Sequence, residues 1–368
     1  MNFHQFEERL EKEFTEFKRD VKKPNILLIG ATGVGKSSLI NICFGEELAR
    51  VGVGKPVTDH IESFSCSSIP VVLFDTKGYE IGSDKEKEFL HDVVKYATNS
   101  ASSDRPIHIV WYCIQASGGR IVDFDVSIIN QICQAGLPVG LILTKADLLS
   151  KGESKLFRSE IESLLPKIAI FETSIKTDLN NLELAELCQW SVNSLPSALK
   201  ISFAAAQKKN ISIKRDEATK VVSQHSAGAA FVGFAPIPFS DAPILLVNQA
   251  GMIARILFIY NMGAFTDIVK DLLGGVAIGS LISQSGVWIA AQLLKFFPGI
   301  GTIVGGVING TVATALTYAI GISISELCAR FLEIALSGDT KKLQAFVDDM
   351  PTYFSDLVKI SFKQQTQE

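Results

Sequence analysis

Apolar residues follow three different rhythms along this chain. In residues 2–22, Phe3, Phe6, Leu10, Phe14, Phe17 and Val21 recur at steps of three and four, with Glu, Lys and Arg between them. That spacing predicts an amphipathic helix, stopped by Pro24. Its aromatic stripe admits two uses: lying on a membrane surface, or docking against another helical part of the same chain. From residue 25 to about 195, short apolar runs alternate with amphipathic stretches. Strands are predicted at 25–29, 61–66, 69–75, 107–114, 138–144 and 167–172, and helices near 36–46, 84–98, 123–135, 152–165 and 180–193. Alternation of this kind predicts a three-layer α/β fold with a mostly parallel sheet and a site at the carboxyl ends of its strands.

The rhythm changes after residue 196. Residues 196–225 read as one polar-to-amphipathic helix, proline and glycine gather between Gly228 and Pro243, and a helical pattern resumes over 244–262. Between residues 272 and 325 the only charged side chain is Lys295. Two apolar stretches, 272–294 and 299–325, flank Lys295-Phe-Phe-Pro298-Gly299, and each exceeds the roughly 20 helical residues that cross a hydrocarbon core. Gly275/Gly279, Gly301/Gly305 and Gly306/Gly310 permit close helix approach. Gln284, Gln292 and Asn309 make these stretches less apolar than typical spans. Membrane association and burial in an all-α domain therefore both stand. The expected organisation is an N-terminal amphipathic helix over 1–23, an α/β domain over 24–195, a linker helix over 196–225 and an apolar helical domain over 226–368.

Composition narrows the classes. With 35 basic and 39 acidic residues the net charge is −4, so no global attraction to nucleic acid is expected. Residues 226–325 carry almost no Lys or Arg, which speaks against an RNA-facing domain. Six cysteines lack any CxxC spacing and read as reduced, mostly buried thiols. The N-terminus carries no apolar signal segment, so a cytoplasmic location is expected, with membrane association through 272–325 as the open extension.

The chemistry concentrates in residues 25–38. An apolar run, Ile26 to Ile29, leads into Gly30-x-x-x-x-Gly35-Lys36-Ser37, and the chain then turns helical. Strand, glycine loop and helix make the context of a phosphate-binding loop. Gly30, Gly33 and Gly35 let the backbone curl so that N–H groups from Thr32, Val34 and their neighbours through Ser38 face one anion, and the helix dipole adds to the pull. Lys36 is the expected partner of the β- and γ-phosphates, and the Ser37 hydroxyl of Mg2+. Three later motifs follow, each at a strand end. In Asp75-Thr-Lys-Gly78, Asp75 is placed to hold Mg2+ through water and the Gly78 N–H to meet the γ-phosphate. In Thr144-Lys145-Ala-Asp147, Asp147 offers two acceptors to the guanine N1–H and N2–H2, a pattern adenine cannot use. Lys145 lies along the base and braces the glycine loop. In Thr173-Ser174-Ile175-Lys176 the backbone of Ser174 and Ile175 meets the guanine O6. Thr58, in Lys55-Pro-Val-Thr58, is the candidate switch residue and third metal ligand.

These four motifs in order resemble the GTPases of the Ras-like and Era-like superclass. The loop wording, with Pro-Val-Thr58, is similar to the Era-like, septin-like and immunity-related members. Residues after 226 resemble an apolar helical domain of unknown function found behind such GTPases in bacteria. The resemblance implies GTP and GDP binding with Mg2+ and hydrolysis of GTP through Lys36, Thr58 and Gly78. It also implies that nucleotide state is coupled to the helical domain, at a membrane lipid surface or through a GTP-dependent homodimer. Two other functions stay open: an Era-like ribosome or RNA assembly factor, and a nucleotide-dependent binding module without useful turnover. One departure bears on mechanism. Tyr79 occupies the place after the DxxG glycine where Ras-like enzymes carry a water-positioning glutamine. A second is Gly33, where potassium-activated relatives often carry asparagine.

Overall fold

The computed structural model describes residues 3–45, 55–56, 61–65, 69–76, 86–99, 106–118, 120–176, 182–232, 241–262 and 310–367. They form two compact units, one of residues 22–210 and one combining residues 1–21 with 211–368.

The first unit is the α/β layer structure. Its strands are β1 (Asn25–Ile29), β2 (Lys55–Pro56), β3 (Ile61–Ser65), β4 (Val72–Thr76), β5 (Ile109–Gln115), β6 (Val139–Thr144) and β7 (Ala169–Glu172). They form one sheet in the order β2-β3-β4-β1-β5-β6-β7. β1 runs parallel to β4 and β5 on either side, β6 and β7 continue parallel, and β2 and β3 pair antiparallel at one edge. Every residue of β1 and β6 is buried, as expected of unbroken apolar runs covered on both faces. The chain's path leaves β1 between β4 and β5, so the order reverses there, and ligands of open α/β sheets bind in that crevice.

The helices of this unit are α2 (Lys36–Phe44), α3 (Glu86–Asn99), α4 (Asp123–Gln134), α5 (Lys151–Leu164), α6 (Leu184–Ser194) and α7 (Ser197–Ala206), after α1 (Phe3–Asp20) of the other unit. Aromatic side chains tie three of them to the sheet. Phe44 stacks on Trp111 with centroids 5.7 Å apart and meets Phe203 edge-on at 6.0 Å. The Trp111 indole donates to Ser191 at 3.1 Å. Gly140 has no side chain because the Trp190 ring takes the space: a Cβ there would stand 2.7 Å from the ring.

The single helix expected over 196–225 is corrected to two, α7 and α8 (Ile211–Val232). The chain turns extended at Gln207, and the Lys208 N–H bonds to the Cys43 carbonyl at 3.0 Å instead of to a helical partner. α7 stays with the sheet, where the Ser202 hydroxyl donates to the Lys22 carbonyl at 2.7 Å. α8 belongs to the second unit.

The described residues of the second unit form helices: α1, α8, α9 (Asp241–Ile259), α10 (Gly310–Leu336) and α11 (Thr340–Gln367). α10 packs on α8 and α11, and α1 on α9. Of the two uses open to the N-terminal stripe, the folded chain takes docking. Leu10 is buried, Phe17 meets Phe258 edge-on at 5.2 Å, and the Arg255 guanidinium lies 5.0 Å from the Phe17 ring centre. Gly321 lets three helices converge, since a Cβ there would stand 2.6 Å from Val222 and 2.9 Å from the Met252 sulfur. Three buried polar contacts link the helical segments: Gln249 Nε2 with Thr317 at 3.1 Å, Tyr260 with Ser325 at 2.9 Å, and the Lys214 ammonium with the Ile259 carbonyl at 2.8 Å. Among the described residues no helix is long and apolar enough to cross a membrane. Most of the stretch singled out at 272–325, residues 272–309, lies outside the described residues; its remainder opens α10, where Ala313, Ala315, Ala319, Ile320 and Ile324 are buried in the unit.

Candidate functional site

The site is built where β1 ends. Gly30, Gly33 and Gly35 all carry positive φ, at 154°, 77° and 112°. At Gly30 the constraint is double, because a Cβ would collide with the Cys113 carbonyl on β5. The loop therefore curls tightly between β1 and the first turn of α2.

Two adjacent residues at the end of β6 hold this loop from outside. The Thr144 hydroxyl lies 2.5 Å from the Val34 carbonyl and 3.2 Å from that of Ile114. The Lys145 ammonium donates to the Gly33 carbonyl at 3.0 Å and to Gln115 Oε1 at 2.7 Å. Since peptides are trans, a carbonyl fixed toward β6 turns the N–H of the same plane the opposite way. The N–H groups of Val34 and Gly35 are thus presented by the inner side of the curl, as an anion site requires.

Lys36 is buried. Its ammonium bonds to the Gly30 carbonyl at 2.8 Å and to that of Ala31 at 3.4 Å, and lies 3.9 Å from Asp75 Oδ1. Asp75 stands at the end of β4, register partner of Leu28. Burial pushes its carboxyl up to about 6, against the opposing pull of Lys36. Its Oδ1 is buried without a hydrogen-bond partner. The Lys36 ammonium at 3.9 Å offsets part of the cost of burying that oxygen. It makes no hydrogen bond to it, so the lone pairs remain open to a further cation. With the exposed Ser37 hydroxyl at the start of α2, Asp75 Oδ1 makes the hard oxygen donor set that suits Mg2+. Thr58, Gly78 and Tyr79 lie outside the described residues, so the third ligand and both switch positions stay expectations.

At the other end of the site, Asp147 sits in a short helical turn after β6. Its Oδ1 accepts from the Ser174 hydroxyl at 2.7 Å and its Oδ2 from the Lys176 ammonium at 2.8 Å. Lys176 and then Ser174 hold its carboxyl below the usual range. Gly35, Ser38, Leu39, Lys145, Ser174 and Leu184 line one pocket between the loop and Asp147. Ile175 lines it too and is 64% exposed. The fold thus brings together Gly30, Thr32, Gly33, Val34, Gly35, Lys36, Ser37, Ser38, Asp75, Thr144, Lys145, Asp147, Ser174 and Ile175 at the carboxyl edge of four strands. Two further residues join the set: Lys176 on the Asp147 carboxylate and Gln115 on the Lys145 ammonium, the latter a polar residue that ends an apolar strand on the ligand edge.

Comparison with known proteins agrees with this geometry. The profile of a family described as "50S ribosome-binding GTPase" matches residues 25–145, and that of a domain of unknown function (DUF697) matches 201–351. GTPase Era of Ruminiclostridium cellulolyticum is 29% identical over 168 residues, covering 44% of this chain and 53% of that protein. Septin-9 of Rattus norvegicus is 23% identical over 166 residues, 38% of this chain and 29% of the relative. The chain spans about half the length of the first Era relatives it matches, 53% and 43%. Among solved structures, a point variant of Aquifex aeolicus Era bound to GDP·AlF4− is 19% identical, with a TM-score of 0.35 over 54% of this chain and 68% of that one.

Proposed function

We propose, from the premise that this chain joins a P-loop GTPase domain of the Era, EngB and septin class to a DUF697 helical domain, that it binds GTP with Mg2+ and hydrolyses it to GDP. The observation that carries the reading is the buried Asp75 Oδ1, without a hydrogen bond and 3.9 Å from the Lys36 ammonium, beside the same glycine loop that Thr144 and Lys145 brace just before Asp147.

The loop N–H groups receive the phosphates. Lys36 exchanges the Gly30 carbonyl for phosphate oxygen and offsets charge that grows on the transferring group. Asp147 receives the guanine edge, with Ser174 keeping the carboxylate oriented. Mg2+, held by Ser37 and Asp75 with Thr58 as the further ligand, supplies neutralisation of the β- and γ-phosphates. Thr58 and the Gly78 N–H order around the γ-phosphate and release after hydrolysis. A phenol at Tyr79 lacks the amide that aligns water, so a second protomer completes the site in a GTP-dependent homodimer.

The helical unit passes nucleotide state onward, and the uncharged sequence around Lys295 makes a lipid surface the partner we favour. A ribosome-directed role, which the first family's name describes, finds little support in the few basic residues of 226–325. The test is fluorescent-nucleotide binding and phosphate release over a wide range of protein concentration, with and without liposomes. Specific activity rising with concentration supports the dimer. Equal affinity for ATP and GTP refutes the whole reading.

A further inference from the structure

Gln115 closes β5 opposite Thr144 in the sheet register, one residue before Lys145. Its amide is held in one orientation: Nε2 donates to the Ser117 hydroxyl at 2.6 Å, so Oε1 faces the Lys145 ammonium at 2.7 Å. A flipped amide would set NH2 against NH3+. Ser117 is fixed in its turn by the short helical turn 116–118, which buried Ala116 anchors. Lys145 has three donors; one goes to Gln115, one to the Gly33 carbonyl at 3.0 Å, and one is left for a ligand. The chain of contacts therefore runs from Ser117 through Gln115 and Lys145 to a carbonyl of the phosphate loop.

We propose that Gln115 is a positioning residue for bound guanine nucleotide: acting through Lys145, it fixes the Gly33–Val34 peptide plane and sets how long the nucleotide stays. The inference rests on the GTP-binding reading above. Without the amide oxygen, the Lys145 ammonium has one fixed acceptor fewer and samples other rotamers. The Gly33–Val34 plane is then held by a looser Lys145–Gly33 contact, the Thr144 hydroxyl on the next carbonyl and the weak bond of the Val34 N–H to the Ala31 carbonyl at 3.4 Å. The Val34 N–H is less firmly aimed. Phosphates common to GTP and GDP feel this change; the base-reading edge at Asp147 does not.

The experiment is stopped-flow release of mant-GDP and mant-GTP from the full chain with Mg2+. It compares the unaltered protein with Gln115→Leu, Lys145→Ala and the double variant. Gln115→Leu is expected to release both nucleotides at least about tenfold faster, the lower end of the scale of one hydrogen bond to a charged group. Guanine-over-xanthine preference should not change. The double variant should release no faster than Lys145→Ala alone, because the two residues act in series. Release as slow as in the unaltered protein, or effects that multiply in the double variant, overturns the proposal. Gln115→Asn, which keeps the amide but shortens its reach, is read by the same criteria if the leucine variant does not fold. If the unaltered protein binds neither mant-nucleotide, the proposed function itself fails before any variant is compared.

Discussion

The Lys176 ammonium lies 2.8 Å from one oxygen of Asp147, the carboxylate that the proposed function assigns to the guanine edge. Under that proposal the base and the protein's own cation compete for the same oxygen. Lys176 is half exposed, so the ion pair is weakly held and readily exchanged.

Asp147→Asn is expected to lower affinity for GTP about 100-fold or more, since a buried-edge hydrogen-bond mismatch carries that scale of discrimination. Xanthosine triphosphate should gain, because its C2 carbonyl accepts from the new amide. Competition against a fluorescent nucleotide measures both, and an unchanged order of preference would remove Asp147 from the base site.

Lys36→Ala should abolish detectable GTP binding in calorimetry while leaving the melting temperature of the nucleotide-free protein nearly unchanged. The ammonium's partners are two carbonyls of its own loop, which water can take over, and Asp75 at 3.9 Å, whose carboxyl, already raised to about 6, takes up a proton once the cation is gone. A collapse of the fold would mean that Lys36 is structural.

Gly140→Ala inserts a methyl group where the Trp190 ring already stands at 2.7 Å. Overpacking of this kind costs about 1–3 kcal/mol. Urea unfolding followed by Trp fluorescence should show the loss, and Gly136→Asn on an open turn provides the contrast, because asparagine tolerates the positive φ of 82° found there.

Lys214 gives the helical unit a pH signature. Burial lowers its ammonium from 10.5 to about 7, so between those values the unfolded chain binds more protons than the folded one. Stability from this residue therefore rises as pH increases from about 7 to 10.5, and is lowest below 7. Denaturation of the unaltered protein and of Lys214→Met at pH 7 and pH 9.5 should show a smaller pH gain in the variant. Equal gains would mean that Lys214 is not buried as a cation.

Much of the nucleotide unit was legible because its strands are unbroken apolar runs ending in polar motifs, as Ile26 to Ile29 before Gly30 and Leu141 to Leu143 before Thr144. The candidate site residues lie on or just beyond those ends. What stayed hidden depends on partners remote in sequence. Nothing near Gln207 announces that the helix must stop, because the reason is the Cys43 carbonyl. The side chain that covers Phe17 is Phe258, which no local pattern identifies. The role of Gln115 is invisible without the Lys145 distance.

The contact between Phe17 and Phe258 has a kinetic meaning. In sequence the whole nucleotide unit, residues 22–210, is inserted between the first helix of the helical unit and the rest of it. During synthesis at about 5–20 residues per second, α1 leaves the ribosome tens of seconds before α9 exists to cover it. Leu10, buried in the finished protein, and Phe17, half-buried against Phe258, spend that interval uncovered on a nascent chain. The nucleotide unit, whose elements are continuous from 22 to 210, has time to fold meanwhile. Whatever shields Leu10 and Phe17 in the interim gives way to α9 once that helix emerges.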